Sequence, residues 1–473
     1  MATIHVLVGI PGSGKSTYAK SLEKQKGYKI VSSDTVRNLH PDWEESLIFP
    51  EVYRLCSEYL KNGQDIIYDA TNITPKVRKR LVTSLEPYNV EYDMIAYYFP
   101  IDYETCLKRV EKRNEDKNER FFPLDILKSY SENIIAPSVE EGFKEVKVIE
   151  QSSLNETFNK LSKNLIINNL QGYAFYYEDE RGKIESFQGY ESIETKKKIT
   201  IDSNFRLASV TKQFIGYAIY KLIKEGKIDY NTYINDVLYL GEYAKDIKII
   251  NLLNHTSGLK NYEAMEHTDE QISDYDVLEY LRKQDSLYFE VGSKYQYSNS
   301  AYVLLGLVVS VVSKRNLDDY IENEIFKKVN MNDSKVNYQG VTQVDNRSYG
   351  HILQDNELIF KDQYWCSATI GDGGLYSSVK DLKKWLDYLF NIYNEETDFF
   401  KSNILSDGTD TEYCLGVRHI IRKGVDVIYH CGETIGTNTV IGFIPKQNKK
   451  FIFLTNIDNV QGSTFIENLI NLL

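Results

Sequence analysis

Gly9-Ile10-Pro11-Gly12-Ser13-Gly14-Lys15-Ser16 is the stretch of this 473-residue chain that decides the fold of its first part. It fits the pattern G-x-x-x-x-G-K-[ST] and stands between an apolar run, Ile4–Val8, and a segment of helical periodicity, Lys15–Lys24. In such a strand–loop–helix the glycines let backbone N–H groups face an anion, and the helix N-terminus adds its dipole. The sequence therefore predicts a phosphate-binding loop. Lys15 would reach the β- and γ-phosphates of a nucleotide, and the Ser16 hydroxyl would bind Mg²⁺.

The first 150 residues alternate short apolar strands with amphipathic helical segments. This alternation predicts a parallel sheet with crossover helices, and hence an α/β domain over residues 1–150. The strands are predicted at Ile4–Val8, Tyr28–Ser32, Asp65–Asp69, Tyr92–Tyr98 and Val146–Ile149.

Charged side chains follow the ends of these predicted strands. Asp34 comes just after the second strand, where a carboxylate can accept a proton from an attacking hydroxyl; a helix N-cap is the alternative explanation. Asp69 ends the third strand and is placed to orient a magnesium-bound water or an arginine. A charged stretch farther on contains Arg109, Arg113 and Arg120. Each of these arginines either stabilises a transferring phosphoryl group or belongs to a solvated helix surface.

Together these residues resemble the polynucleotide 5′-kinase group of P-loop kinases. The matching pieces are Gly9–Thr17, Asp34 with Arg37, Asp69-Ala70-Thr71-Asn72, the arginines before Pro123, and Pro137–Phe143. The resemblance implies Mg²⁺-dependent transfer of the γ-phosphate of ATP to a hydroxyl, with Asp34 as general base. It also implies that Arg37, Asp69 and Asn72 contact the acceptor. The implied nucleotide contacts are Gly9, Gly12, Ser13, Gly14, Lys15, Ser16, Thr17, Arg113 and Arg120. A polynucleotide 5′ end is one candidate acceptor; small alcohols, tRNA ends and sugar-nucleotide precursors are the others.

The pattern of the chain changes after residue 150. Residues 151–171 are rich in Ser and Asn and are predicted to be the end of a helix followed by a linker. From residue 172 a hairpin, Tyr173–Gly189, is followed by long helical segments, and strands return towards the C-terminus. Strands at both ends of a helical middle predict an α/β sandwich over residues 172–473, with an antiparallel sheet and a helical subdomain.

Three short motifs in this second part contain residues suited to nucleophilic catalysis. Ser209-Val210-Thr211-Lys212 opens a predicted helix, so Ser209 and Lys212 lie one turn apart on the same helix face. A lysine in that position lowers the barrier to removing the serine proton. The other two motifs are Tyr297-Ser298-Asn299 and His430-Cys431-Gly432-Glu433.

A serine, a lysine, a tyrosine and an H-x-G motif in this order resemble the class C β-lactamase and penicillin-binding-protein-like serine hydrolases. The stretches Leu253–Leu259 and Gly371–Ser378 agree with the resemblance. It implies that Ser209 is the acylating nucleophile, that Lys212 is its proton partner and that Tyr297 is a phenolic acid and base.

The same resemblance assigns the remaining residues. Asn299 becomes a substrate-positioning amide, and His430 takes the place of the lysine in the family's K-T-G motif. The backbone N–H groups of Ser209 and Glu433, beside Gly432, form the oxyanion hole. A histidine in this motif favours esterases, amidases and D-amino-acid peptidases at least as much as antibiotic-degrading enzymes. His255 and His351 have no partner in the sequence and are expected in the core or on the surface.

Composition limits the possible partners. The net charge is −12, and residues 1–150 carry 21 Lys and Arg against 24 Asp and Glu, so a nucleic acid would be held only at an end. The five cysteines show no C-x-x-C spacing and predict neither zinc nor disulfides. The N-terminus lacks the basic region of a signal peptide and no apolar run is long enough to span a bilayer, so we expect a cytoplasmic protein without a membrane partner.

The leading hypothesis is a bifunctional enzyme: a kinase that uses ATP and Mg²⁺, fused to a hydrolase of a small ester or amide. One alternative is a hydrolase regulated by an ATP-binding domain, and a second is a small-molecule kinase fused to the hydrolase. A third is a kinase that carries an inactive hydrolase fold as a binding module. The sequence does not predict the oligomeric state.

Overall fold

The computed structural model describes residues 2–115, 121–149, 154–167, 169–267, 269–355 and 357–473. The chain forms two compact units, Met1–Ser153 and Leu154–Leu473.

The first unit contains a five-stranded parallel sheet in the order β2-β3-β1-β4-β5. Its strands are β1 (Ala2–Val8), β2 (Lys29–Ser32), β3 (Ile66–Asp69), β4 (Tyr92–Tyr98) and β5 (Glu145–Val148). Its helices are α1 (Lys15–Lys26), α2 (Ser33–Leu39), α3 (Glu45–Lys61), α4 (Pro75–Leu85), α5 (Tyr103–Asn114) and α6 (Leu124–Asn133).

The register of this sheet places the predicted site residues at one edge. β1 is central and its apolar side chains are buried on both faces, as expected of a parallel strand covered by helices. β2 and β3 pair so that Ser32 stands opposite Asp69. The carboxyl ends of β1, β2 and β3 therefore bring the loop after Val8 close to Asp34 and Asp69.

The second unit is built on a six-stranded antiparallel sheet in the order β13-β14-β15-β16-β6-β7, with a three-stranded sheet, β8-β12-β9, and a hairpin, β10-β11. The large sheet contains β6 (Tyr173–Asp179), β7 (Gly182–Gln188), β13 (Arg418–Arg422), β14 (Val425–Thr434), β15 (Thr437–Ile444) and β16 (Lys449–Thr455). The smaller sheets contain β8 (Phe205–Arg206), β9 (Lys335–Val336), β10 (His351–Gln354), β11 (Glu357–Phe360) and β12 (Leu375–Ser377).

Helices cover both faces of the large sheet. The α-helices of the second unit are α7 (Leu154–Leu161), α8 (Thr211–Lys224), α9 (Ile249–Leu253), α10 (Asp274–Arg282), α11 (Asn299–Ser313), α12 (Leu317–Ile321), α13 (Val379–Ile392) and α14 (Gly462–Leu472). One face packs against α7 and α14, and the other against the larger helical core that contains α8, α11 and α13. The predicted fold class is confirmed in both units: a parallel α/β sheet, then an α/β sandwich with an antiparallel sheet.

Residues 151–171, predicted to be the end of a helix followed by a linker, contain a helix in their described part. Residues from Leu154 onward form α7 because Leu154, Phe158 and Leu161 recur at helical spacing and pack into the core of the second unit. The ring of Phe158 lies edge-on to that of Phe175 on β6, with centroids 4.8 Å apart. This segment therefore belongs to the second unit.

In the part of the chain that the structure describes, no single helix has the length and apolar character to cross a membrane. One bent pair, Asn299–Ser313 with Leu317–Val329, meets that test by length and composition.

Candidate active sites

The phosphate-binding loop joins β1 to α1. Gly12 and Gly14 have φ angles of 82° and 85°, which side chains with a Cβ rarely adopt. A Cβ on Gly12 would also lie 2.7 Å from the carbonyl oxygen of Cys106. The sequence pattern and the backbone thus agree on a tight loop that opens at the N-terminus of α1.

Lys15 is folded back over this loop. Its ammonium donates to the carbonyl of Ile10 at 2.9 Å and to the Ser13 hydroxyl at 3.4 Å, and only 7% of the residue is exposed. The pKa of Lys15 is lowered to about 8, mainly by burial; the charge of Arg113 acts in the same direction and the carboxylate of Asp69 opposes both. A polyphosphate would supply the negative charge that this buried cation lacks.

Asp34 and Asp69 lie near each other at the sheet edge but in different environments. The hydroxyl of Ser32 caps α2 by accepting from the N–H of Thr35, so Asp34 is not the N-cap and projects from the first turn with 74% of its side chain exposed. Asp69 is half-buried; desolvation raises its pKa, while Lys15 and a hydrogen bond with Ser16 lower it. The more exposed of the two carboxylates, Asp34, suits a base that meets an incoming acceptor.

The predicted acceptor contact Arg37 is already engaged within the unit. It donates to the hydroxyl of Ser33 and the carboxylate of Asp34, each at 2.9 Å, and to both carboxylate oxygens of Glu45. An acceptor phosphate would have to displace one of these partners.

Asn72, a predicted contact of the phosphoryl acceptor, holds the segment after β3 to β1. This residue is completely buried, has a φ of 47°, and its Nδ2 donates to the carbonyl of Leu7 at 2.8 Å. Its Oδ1 has no hydrogen-bond partner among the described residues, and the contact with the acceptor stays a prediction.

Two of the three arginines that were predicted to stabilise the transferring phosphoryl group, Arg109 and Arg113, are described, and both lie on α5. Arg109 Nη1 donates to the carbonyl of Gly12 at 2.8 Å. Arg113 is close enough to Lys15 to lower its pKa, and its Nε is buried without a hydrogen-bond partner among the described residues. That unpaired donor fits a phosphate oxygen. Arg120 lies outside the described residues.

These groups fit a nucleotide and Mg²⁺. Lys15 and Arg113 would hold phosphate oxygens, and the Ser16 hydroxyl beside Asp69 would bind the metal, which in turn would neutralise charge on the transferring phosphoryl group. Within the described residues no group of three or more His, Cys, Asp or Glu could hold a metal ion. A magnesium ion here would therefore take its other ligands from phosphate and water, as Mg²⁺ commonly does.

In the second unit, Ser209 and Lys212 are hydrogen-bonded. Ser209 lies in a 3₁₀ turn, Ala208–Val210, that continues into α8, and Lys212 Nζ is 2.9 Å from its Oγ and 2.8 Å from the carbonyl oxygen of Asp372. Lys212 is completely buried, whereas Ser209 is partly exposed. Burial lowers the pKa of Lys212 to about 8, against the opposing charges of Asp372 and Glu263.

Tyr297 completes this cluster. Its pKa is raised above the ordinary value by burial, while a hydrogen bond with Ser209 lowers it. The ammonium of Lys212 lies 5.0 Å from the centre of its ring. A phenol with a raised pKa stays protonated at neutral pH, so Tyr297 can donate a proton. Lys212, whose pKa is lowered to about 8, loses its proton more readily than Tyr297 does.

The ring of His430 lies near that of Tyr297, with centroids 6.3 Å apart. Its Nδ1 donates to the carbonyl of Cys431 at 2.6 Å, which leaves Nε2 to accept from the Tyr413 hydroxyl at 3.0 Å. Burial lowers its pKa well below the ordinary value, and the charges of Lys212 and Arg418 act in the same direction. His430 is therefore a neutral residue whose nitrogens bond to Tyr413 and to the backbone of Cys431, and its predicted catalytic role stays a prediction.

The C-terminal end of β14, which pairs with β15, lies against the turn that carries Ser209. β13 pairs with β14 only as far as Tyr429, so residues 430–434 extend beyond the pairing described on that side. A Cβ built on Gly432 would lie 3.0 Å from the backbone nitrogen of Ser209 and 2.2 Å from the carbonyl oxygen of Leu207. This close approach brings the backbone of Glu433, the other predicted oxyanion donor, beside Ser209.

Replacing Gly432 with alanine is expected to lower hydrolase activity by about 100-fold, because the added methyl must push β14 away from the N–H of Ser209. The comparison is kcat/KM for an ester substrate, with thermal unfolding as a check on the fold. Gly373→Ala is the matched control, since its Cβ would come no nearer than 3.6 Å to Ala208. Equal activity in the two variants would contradict this geometry.

Several residues around Ser209 were missed by the sequence reading. Asp372 accepts from Lys212 through its backbone and from the Tyr262 hydroxyl through its carboxylate at 2.7 Å. The buried carboxylate of Asp274 holds this loop by accepting from the N–H of Ile370 at 2.7 Å. Asp372 lies in Gly371–Ser378, one of the stretches that agree with the β-lactamase resemblance. No motif in the sequence contains Tyr413 or Tyr262.

His255 is in the core, as expected, but next to the site. It is completely buried, its Nδ1 accepts from the N–H of Ser298 at 3.1 Å, and its ring lies 4.4 Å from those of both Tyr297 and Tyr413. His351 is also buried and accepts from the N–H of Ile193 at 3.3 Å.

The fold and the serine–lysine–tyrosine cluster define the second unit as a serine hydrolase domain of the β-lactamase type. The sequence model of the family described as Beta-lactamase matches residues 172–469, and the chain belongs to this family. A second model, described as AAA domain, matches residues 4–136, which contain the phosphate-binding loop.

Similar proteins are known from sequence and structure. Protein flp of Staphylococcus aureus (strain N315) is 24% identical over 303 residues, which are 59% of this chain and 58% of that protein. Penicillin-binding protein 4* of Bacillus subtilis (strain 168) is 26% identical over 291 residues, 57% of this chain and 64% of its own length. The chain therefore spans about three-fifths of the length of these relatives.

Solved structures show the same fold at low identity. The octameric penicillin-binding protein homologue from Pyrococcus abyssi has a TM-score of 0.58 at 22% identity, covering 68% of this chain and 77% of its own. A D-amino acid amidase from Ochrobactrum anthropi SV3 has a TM-score of 0.56 at 18% identity, covering 68% of this chain and 99% of its own.

Proposed function

We propose that this chain is a bifunctional enzyme. The second unit hydrolyses an ester or amide through an acyl-enzyme on Ser209, and the first transfers the γ-phosphate of ATP to a hydroxyl. The observation that supports the hydrolase best is the contact of 2.9 Å between Lys212 Nζ and Ser209 Oγ, in a setting where burial lowers the pKa of the lysine to about 8.

The acylation step follows from these protonation states. Neutral Lys212 accepts the proton of Ser209 as Oγ bonds to the substrate carbonyl carbon, and the N–H groups of Ser209 and Glu433 stabilise the oxyanion. Tyr297 donates its proton to the leaving alcohol or amine as the scissile bond breaks, and Lys212 returns a proton to Tyr297. Water then attacks the acyl carbon and gives up a proton to the same pair, which passes a proton to Ser209 Oγ as the acyl–oxygen bond breaks and the acid is released.

The expected pH dependence tests this assignment. Only the neutral amine of Lys212 can accept a proton, so the rate of Ser209 labelling by an uncharged fluorophosphonate should rise with pH and level off above about 8. Lys224→Met, which alters an exposed lysine of the same helix, should give the same profile. A labelling rate independent of pH between 6 and 9 would refute Lys212 as the base.

The kinase proposal is supported by the buried Lys15, the unpaired Nε of Arg113 and the exposed Asp34 at the edge of the sheet. Asp34 would accept the proton of the acceptor hydroxyl as its oxygen bonds to the transferring phosphorus and the bond to ADP breaks. A polynucleotide 5′ end is the proposed acceptor, and a small alcohol is the second candidate.

The alternative, a hydrolase switched by bound ATP, makes a different prediction. Hydrolysis by the second unit would then change with ATP, and the change would be lost in Lys15→Ala, while no acceptor became phosphorylated. Labelled ATP with 5′-hydroxyl oligonucleotides and a panel of small alcohols separates the two proposals.

A further inference from the structure

Residues 370–374 supply the second hydrogen-bond acceptor of Lys212. In the described part of the chain, the Nζ of Lys212 has two oxygen partners: the Oγ of Ser209 at 2.9 Å and the backbone carbonyl of Asp372 at 2.8 Å. The position of this carbonyl therefore determines how the amine is directed towards the serine that it deprotonates in the acylation step. A displacement of about 1 Å in such a group is enough to slow a reaction by about 100-fold.

Three glycines leave residues 370–374 with little stiffness of their own. They flank Asp372 in the sequence Ile-Gly-Asp-Gly-Gly, and glycine has the widest backbone freedom of all residues. The first of them is required by packing, because a Cβ on Gly371 would lie 2.4 Å from the carbonyl oxygen of Tyr302 in α11. Contacts from outside this glycine-rich segment therefore help to hold the carbonyl of Asp372 in place.

Asp274 makes two such contacts. Its Oδ1 accepts from the N–H of Ile370 at 2.7 Å, and its Oδ2 accepts from the N–H of Gly371 at 3.3 Å. Asp274 is the first residue of α10, but its side chain does not cap that helix, because the hydroxyl of Ser273 accepts from the N–H of Asp276. The carboxylate of Asp274 therefore serves the glycine-rich segment.

Both hydrogen bonds depend on the charged form of Asp274. Its pKa is raised to about 7, mainly by burial; the N–H of Ile370 lowers the pKa and the charge of Asp372 raises it. The group is therefore a carboxylate above about pH 8, and each of its oxygens can accept a hydrogen bond. An amide in its place would turn an NH₂ group towards one of the two N–H donors.

We infer that Asp274 is a positioning residue of the hydrolase: it holds the carbonyl of Asp372 where that carbonyl orients the amine of Lys212. This inference rests on the proposed acyl-enzyme chemistry of Ser209. The charges that act on the pKa of Lys212 are those of Asp372 and Glu263. Asp274 therefore acts through the glycine-rich segment and not through its own charge. When the carbonyl moves away, the ammonium form of Lys212 loses a hydrogen bond, and the pKa of Lys212 falls.

The test measures the rate at which an uncharged fluorophosphonate labels Ser209 between pH 6 and 9 in Asp274→Asn and Asp274→Ala. The plateau rate should fall by about tenfold in Asp274→Asn, which keeps an acceptor for one N–H, and by about 100-fold in Asp274→Ala, which keeps none. The midpoint of the pH profile should move down by about one unit in Asp274→Ala and in the same direction in Asp274→Asn, because a hydrogen bond to the ammonium of Lys212 is lost.

Asp381→Asn is the matched control. Asp381 is a buried carboxylate in the first turn of α13, and it accepts from the N–H groups of Asp333 and Ser334 at 2.8 and 3.0 Å. The segment that it holds contains neither oxygen partner of Lys212, so this variant should keep the midpoint and the plateau rate of the wild type. Thermal unfolding measures how much stability each variant loses.

Two results would overturn the inference while labelling of wild-type Ser209 keeps the proposed hydrolase. One is an unchanged rate and midpoint in the folded Asp274 variants. The other is a rate that falls equally in Asp274→Asn and Asp381→Asn with no shift of the midpoint, which would make the role of Asp274 only structural. If Asp274→Ala does not fold, Asp274→Asn decides by the same two readouts. A wild-type protein whose Ser209 is not labelled would overturn the proposed function and this inference together.

Discussion

Ser209→Ala is expected to reduce ester hydrolysis on the order of 10⁴-fold or more and to abolish covalent labelling by a fluorophosphonate, because no other group can take over the nucleophile's role. Lys212→Met, which keeps the length of the side chain without its amine, should cost on the order of 10³-fold, the typical contribution of a positioned base. The measurements are kcat/KM on a soluble ester and the mass of the labelled protein.

Thermal unfolding separates loss of chemistry from loss of structure in these variants. Lys212→Met should leave the free energy of unfolding within about 2 kcal/mol of wild type, because it removes the cost of a buried amine but leaves the carbonyl of Asp372 without a donor. Ser257→Ala, a buried serine outside the cluster, controls for loss of a hydroxyl. Labelling that persists in Ser209→Ala would assign the nucleophile elsewhere.

Lys15→Ala is expected to abolish detectable transfer of γ-phosphate from ATP, with loss of nucleotide binding, because it removes the ammonium that would face the β- and γ-phosphates. Asp34→Asn should retain nucleotide binding but lose transfer by about 10²–10⁴-fold, the range for a general base. Nucleotide affinity is measured by calorimetry and transfer with labelled ATP.

The control for the first unit is Lys24→Ala, an exposed lysine near the end of α1, which should change neither quantity. Hydrolysis by the second unit should be unaffected by Lys15→Ala if the two activities are independent. Transfer that survives in Asp34→Asn would remove this carboxylate from the proposed chemistry.

Features encoded by neighbouring residues could be predicted. Spacings of a few residues determine the loop Gly9–Ser16 with its flanking strand and helix, and the contact of Ser209 with Lys212. Helix and strand geometry fixes where side chains at such spacings lie relative to one another. The parallel sheet and the hairpin after residue 172 followed from the same local periodicity. The segment that contains α7 was predicted to be the end of a helix and a linker because its apolar positions are few and because α14, against which α7 packs, lies about 300 residues later in the sequence.

The hydrogen-bond partners of three predicted site residues could not be predicted, because these partners are distant in the sequence. Asn72 lies in a polar stretch after β3, yet its amide bonds to the carbonyl of Leu7, 65 residues earlier. His430 occupies the expected motif position, but the irregular segment before β13 brings Tyr413 to its Nε2. Asn299 was expected to position substrate through its amide, and Glu263, 36 residues earlier, fixes which half of that amide is free.

The sequence by itself therefore determined the two fold classes, the phosphate-binding loop and the order of the serine, lysine and tyrosine. Only the tertiary structure decided how these groups are protonated and which of their atoms remain available. The physical reason is that motifs record spacing along the chain, whereas burial and hydrogen-bond partners depend on segments that meet only after folding. The buried Lys212, whose carbonyl partner comes from Asp372, is an example of this dependence.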